Sequence, residues 1–161
     1  MSPHVQMVTS DRSMFPVESE ILGNLTVSEA ECLTFPEGIL GFPACHRFIL
    51  VPASRRELFW LQSVEHGSLA FLLVDPFAVV DGFSVDISEA DLAPMRPSDP
   101  KQMGVLAIVT LPRKPGETAT ANLQGLLAID FSQRMGKQTV IPESEYGIRW
   151  PIDVQKTRMA S

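Results

Sequence analysis

The stretch 118–141, TATANLQGLLAIDFSQRMGKQTVI, limits the folds open to this chain more than any other. Its apolar run from Leu123 to Phe131 is broken by Gln124, Gly125 and Asp130, which is too short and too interrupted for a helix and reads as a strand. Ser132 to Gly136 reads as a turn in which Gly136 takes positive φ, and Lys137 to Ile141 then alternates polar and apolar residues up to Pro142. Two such runs joined by such a turn predict a β-hairpin. Just ahead of the first strand, Thr118, Thr120 and Asn122 alternate with Ala119 and Ala121. In an extended chain that spacing puts three small hydrogen-bonding side chains on one face.

The rest of the chain repeats the theme of short strands between turns. The stretch 17–27 reads as a first core strand broken at Gly23-Asn24 by a bulge or a tight turn, and 28–31 as a single capped turn that Phe35-Pro36 stops. Two prolines and two glycines shape 33–43 into a loop studded with Phe35, Ile39, Leu40 and Phe42. The stretches 46–52 and 57–64 predict a second hairpin. The continuous apolar run 69–74 predicts a strand covered on both faces, which Asp75-Pro76 terminates. Strict alternation at 83–87 predicts a half-buried or edge strand, and 88–92 a short helix capped by Ser88 and ended by Pro94. The β-branched run 105–111 reads as a central strand, and 146–152 as a last edge strand.

About eight to ten short strands, almost no helix, and 10 glycines with 13 prolines indicate an all-β fold, a single-domain pseudobarrel or sandwich of short antiparallel strands with many turns. At 161 residues and 45% hydrophobic content the chain suffices for one cored domain, placed at 17–152, with 1–16 read as a flexible extension and 153–161 as a flexible tail.

Composition narrows function as well. A net charge of −6, from 13 basic and 19 acidic residues, argues against direct nucleic-acid binding. Cys32 and Cys45 form no CxxC pattern and imply reduced thiols in the cytoplasm, and no apolar run is long enough for a membrane span. His4, His46 and His66 are scattered, without metal-ligand spacing, so neither metal nor other cofactor is expected. No GxSxG, P-loop or GxGxxG occurs. Asp75, Asp81, Asp86 and Asp91 lie in turn settings and read as solvated carboxylates.

Some polar residues carry two readings. Gln62 and Ser63 end a strand anchored by Phe59, Trp60 and Leu61, as a strand cap or as recognition groups. Thr120 and Asn122 fit either a bulge or Asx-turn at a strand entrance or a recognition site. Phe35, Ile39, Leu40 and Phe42 are most simply core staples, the other reading being a partly exposed contact patch.

Five ordered blocks then carry a resemblance: EILGNLTV at 20–27, FPEGILGF at 35–42, FWLQS at 59–63, DPF at 75–77, and TANL at 120–123 followed by GKQ at 136–138. In combination they resemble the FliW family of flagellar assembly factors, which bind flagellin and the RNA-binding regulator CsrA. The resemblance covers about 18–152. It implies a compact β pseudobarrel, no catalysis, and a switch in which free flagellin holds the factor, while flagellin export releases it to antagonise CsrA allosterically. The contact residues it implies are Gln62, Ser63, Asp75, Pro76, Thr120, Asn122, Leu123 and Gln138. Gly125-Leu126-Leu127 replaces a segment that usually runs through a proline, and Asp130 stands where asparagine is common, departures that bear on partner affinity more than on fold. Two alternatives remain: a small β-barrel enzyme or ligand carrier with an interior pocket lined by carboxylates such as Asp75 or Asp130, and a flagellin chaperone with no CsrA role.

Overall fold

The structure is a computed structural model that describes residues 14–97, 99, 103–142 and 144–153. Its strands are β1 (Met14–Ser19), β2 (Gly23–Ser28), β3 (Leu33–Thr34), β4 (Arg47–Pro52), β5 (Leu58–Ser63), β6 (Ala70–Val74), β7 (Gly104–Thr110), β8 (Ala119–Asp130), β9 (Met135–Gln138) and β10 (Trp150–Ile152). The α-helices are single turns, α1 (Pro76–Val79) and α2 (Glu89–Leu92). The opening hairpin is present as β8 and β9, which pair antiparallel from Leu127↔Gln138 to Asp130↔Met135.

That pairing closes a barrel. The sheet runs β10-β8-β7-β6-β5-β4-β3-β9, and because β9 also pairs with β8 the strands from β8 round to β9 form a seven-stranded ring, with β10 attached outside it. Closure removes the open edges that short strands would otherwise expose. Every ring pairing is antiparallel except β3 with β9.

Alternation along each strand divides the core in two. Phe48, Leu61, Leu73, Leu106, Leu127 and Ile129 point into the barrel, where they pack with Leu33, Phe35 and Ile39. Leu58, Leu72, Val74, Ala107, Val109 and Ala121 point outward, and Val80, Phe83, Tyr146 and Trp150 cover them. β6 therefore has both faces covered from Leu72 to Val74, as its unbroken apolar run predicts, whereas Ala70 and Phe71 are half-buried. Each fully buried side chain of this size contributes about 1.5–3 kcal/mol, so the filled interior is the main cohesive element.

Several expectations change. The segment 17–27 supplies two strands, β1 and β2, turned at 20–22 and forming a separate sheet that packs Val17 and Val27 on Ile49 of β4. β1 begins at Met14, so Phe15 and Pro16 pair with β2 and do not belong to an extension; residues 1–13 and 154–161 lie outside the described residues. The stretch 83–87 forms no strand: Phe83 and Val85 pack directly onto the outer core, which uses the alternation without any ladder partner. Pro94 does not end the chain's helical path after α2, since it sits in a 3₁₀ turn, Ala93–Met95, where a missing N–H costs nothing.

Gly136 is a further correction. Its φ is not positive; in the β8–β9 turn the left-handed residue is Arg134, at φ 57°. Glycine stands at 136 because a Cβ there would lie 2.4 Å from the Phe35 ring. The residue is needed for close packing, a requirement that looks the same as a turn requirement in sequence.

Candidate functional site

β8 carries an irregularity that shapes one end of the barrel. Leu106 pairs with Leu127, but Ile108 pairs with Asn122, so four residues of β8 stand opposite Ala107 alone. Asn122 holds this bulge: its Oδ1 accepts the backbone N–H groups of Gln124 (3.0 Å) and Gly125 (2.9 Å). Gln138 then ties the bulge to the 35–43 loop, accepting from the N–H of Leu40 (2.7 Å) and donating to the carbonyl of Gly125 (3.2 Å).

The result is an open mouth on a filled barrel. β6 and β7 pair only at Leu73↔Ile108 and Val74↔Ala107, and beyond that point they diverge. Phe71 and Ile108 form the floor of a groove of about 790 Å³, walled by Thr110, Thr118, Thr120 and Asn122. The shared face of Thr118, Thr120 and Asn122 expected from their spacing is thus present. A second groove of about 360 Å³, lined by Ile39, Pro43, Gly125 and Val140, joins the first along Leu40, Asn122, Gln138 and Ile148.

The lip of this mouth is apolar. Leu40 is 82% exposed, Val140 60% and Ile148 56%. Leu40 is forced outward by its own loop: Gly38 and Gly41 both take positive φ, at 70° and 92°, and the Ile39↔Phe42 bridge turns Ile39 into the core while Leu40 caps the turn. Of the four apolar residues in that loop, Phe35 and Ile39 are core staples, whereas Leu40 and Phe42 are exposed. A large aliphatic residue between two turn glycines is the signal by which the sequence marks this lip; Val140 and Ile148 lie in irregular chain and carry no such mark.

The eight residues singled out in the sequence do not form one surface. Thr120, Asn122 and Gln138 meet at the mouth. Gln62 and Ser63 are fully buried and offer no surface. Ser19 Oγ donates to Gln62 Oε1 (2.6 Å), and Gln62 Nε2 donates to the carbonyls of Ser63, Gly67 and Leu69, so the side chain fastens the β1–β2 hairpin to the β5–β6 turn. Ser63 Oγ accepts from the N–H groups of Glu65 and His66 and shapes the same turn. Asp75 is the N-cap of α1, accepting from the N–H of Phe77, and Pro76 is buried at its first position. Leu123 is in the outer core. Strand-end polar residues look alike in sequence whether they face a partner or a turn, and here the turns claim them.

Two of the carboxylates singled out in the sequence are held by local hydrogen bonds. Asp130 accepts from Ser132 Oγ, Gln133 Nε2 and both residues' backbone N–H groups. Those bonds, the Ser132 hydroxyl foremost, hold its carboxyl below the ordinary range despite burial. It is a turn cap, as Asp75 is a helix cap, and neither lines the mouth. Among the described residues no group of three or more His, Cys, Asp or Glu side chains is arranged to hold a metal ion. Cys32 and Cys45 are buried free thiols, and burial pushes the Cys32 thiol up. No helix among the described residues is long and apolar enough to cross a membrane.

A barrel with an apolar interior and with Leu40, Val140 and Ile148 exposed round one mouth, besides exposed Ile21, Phe77 and Phe131 elsewhere, belongs to the class of small β domains that carry a surface groove. Comparison with known proteins specifies the class. The FliW protein family model matches residues 16–152, and the chain belongs to the FliW family of flagellar assembly factors. It is 34% identical over 137 residues to the flagellar assembly factor FliW of Natranaerobius thermophilus, covering 84% of this chain and 91% of that one. It is 33% identical to the namesake of Treponema pallidum, covering 83% and 86%. A crystal structure of the flagellar assembly factor FliW superposes with a TM-score of 0.77 over 85% of this chain and 96% of the other, and at 24% identity it speaks to the fold.

Proposed function

We propose that the chain is a non-enzymatic cytoplasmic regulator that binds flagellin and antagonises CsrA, each through protein–protein contact, so that flagellin synthesis follows export. The observation that supports this most is the apolar lip of Leu40, Val140 and Ile148 around the open mouth, because exposed aliphatic side chains gathered at a groove favour a protein partner. Family membership and the five sequence blocks favour these two partners. The net charge of −6 favours encounter with a partner that is basic where it binds RNA. Mutually exclusive binding is enough for the switch: rising free flagellin withdraws the factor from CsrA by mass action.

The test is to mix purified chain with flagellin and with CsrA and follow complexes by size exclusion, then to titrate CsrA with and without flagellin. One-to-one complexes at micromolar concentration, and loss of the CsrA complex on adding flagellin, are the expected results. Binding of flagellin alone would reduce the proposal to a chaperone without a CsrA role, and binding of neither would end it.

A further inference from the structure

We infer that the segment seated in the barrel mouth is an extended peptide, apolar along one face and carrying a carboxylate at the end that lies over Arg113 and Arg149. The inference rests on the reading of the mouth as a partner surface and adds the chemistry of the occupant.

Three features of the mouth lead to it. The apolar part comes from Phe71 and Ile108 on the floor and Leu40 at the lip, a surface that stays wet until aliphatic side chains cover it. The extended form comes from the seam between β6 and β7. Their ladder stops after Leu73↔Ile108, so Ala70 to Leu72 have a strand neighbour in β5 and none from β7. A strand-like peptide can add its own backbone hydrogen bonds at such a seam, whereas a helix satisfies its backbone internally.

The carboxylate comes from the charge at one end. Arg113 and Arg149 both line the mouth, and neither guanidinium has an ion-pair partner among the described residues. Among the described residues Glu117 is the one acid lining the larger groove, with Glu37 in the adjoining one, and Glu117 Oε1 is turned back onto the N–H groups of Arg113 (3.2 Å) and Lys114 (3.0 Å). On a chain of net charge −6, two arginines without an ion-pair partner among the described residues, beside a groove with an apolar floor and polar walls, select an acidic end to the occupant.

The experiment uses three short fluorescent peptides of one alternating valine–serine sequence, ending in two aspartates, in two lysines, or in two aspartates with alternate backbone amides N-methylated. Anisotropy with the intact chain is predicted to show the aspartate peptide binding at least about tenfold more tightly than the lysine peptide at low salt, the gap closing as salt rises. R113E/R149E, a change of two exposed side chains, is predicted to reverse the preference, and N-methylation to abolish binding. Equal affinity for both charged peptides, or unchanged affinity after N-methylation, would overturn the inference. If the chain binds flagellin or CsrA by size exclusion but none of these peptides, the inference fails and the functional reading stands; if it binds no protein partner, the functional reading itself fails.

Discussion

Ser19, Ser63, Asn122 and Asp130 use one device: a side-chain oxygen accepts the amide N–H groups two and three residues onward. In a chain with so many tight turns these amides have no strand partner, and an unpaired buried amide costs about 1–3 kcal/mol. Asn122→Ala is therefore predicted to lower the unfolding free energy by about 1–2 kcal/mol, whereas Asn122→Asp, which keeps Oδ1, loses less. Urea denaturation of the three proteins checks it. Asp130 adds a pH dependence. Its folded pKa is depressed, so its stabilisation is complete above the unfolded value of about 3.9 and is lost as pH falls through the lower folded value. The difference in Tm between wild type and Asp130→Asn is predicted to shrink below that unfolded value, by calorimetry across a pH series. Both caps were legible as candidates, because Asn and Asp beside Gly or Ser mark turns. Their choice of role was not, since the deciding amides become neighbours only once the bulge and the β8–β9 turn form.

At the scale of elements, strands with a self-contained signal are where the sequence puts them: the β4–β5 hairpin, β6 and β7; the β8–β9 hairpin is present too, but β8 begins at Ala119 and β9 is Met135–Gln138, where the sequence put the second strand at 137–141. The stretch 83–87 had the right alternation and lacks a ladder, because alternation records which side is apolar and says nothing about a partner strand. The β1–β2 hairpin was legible only as a strand with a bulge or tight turn, because its docking uses distant partners: Ile49 for Val17 and Val27, and Gln62, forty-three positions from Ser19. Gln62→Ala is predicted to cost about 1–3 kcal/mol and to raise hydrogen exchange in β1 and β2 ahead of the barrel strands, which resolved exchange measurements can detect. Gly136→Ala is predicted to unseat β9 from Phe35, breaking ring closure, and to cost stability by denaturation even though its backbone φ suits alanine.

At the scale of the molecule, stability and recognition occupy different places. The buried polar residues lock turns and the hairpin, and apolar side chains fill the barrel interior. The mouth is assembled from the 35–43 loop, β6, β7, the β8 bulge and Ile148, pieces far apart in the chain. Its Thr118, Thr120, Asn122 and Gln138 could be picked out beforehand, and Leu40 under the second reading of the 35–42 apolar residues; Val140 and Ile148 carried no mark. Since Leu40 and Ile148 are exposed, changing them should leave folding within about 0.5 kcal/mol of wild type. The direct measurement is calorimetric titration of flagellin into wild type and into L40D/I148D, with their Tm values in parallel. Micromolar binding by wild type and its loss in the variant at unchanged Tm is the predicted result; equal binding by both would contradict the barrel mouth as the partner surface.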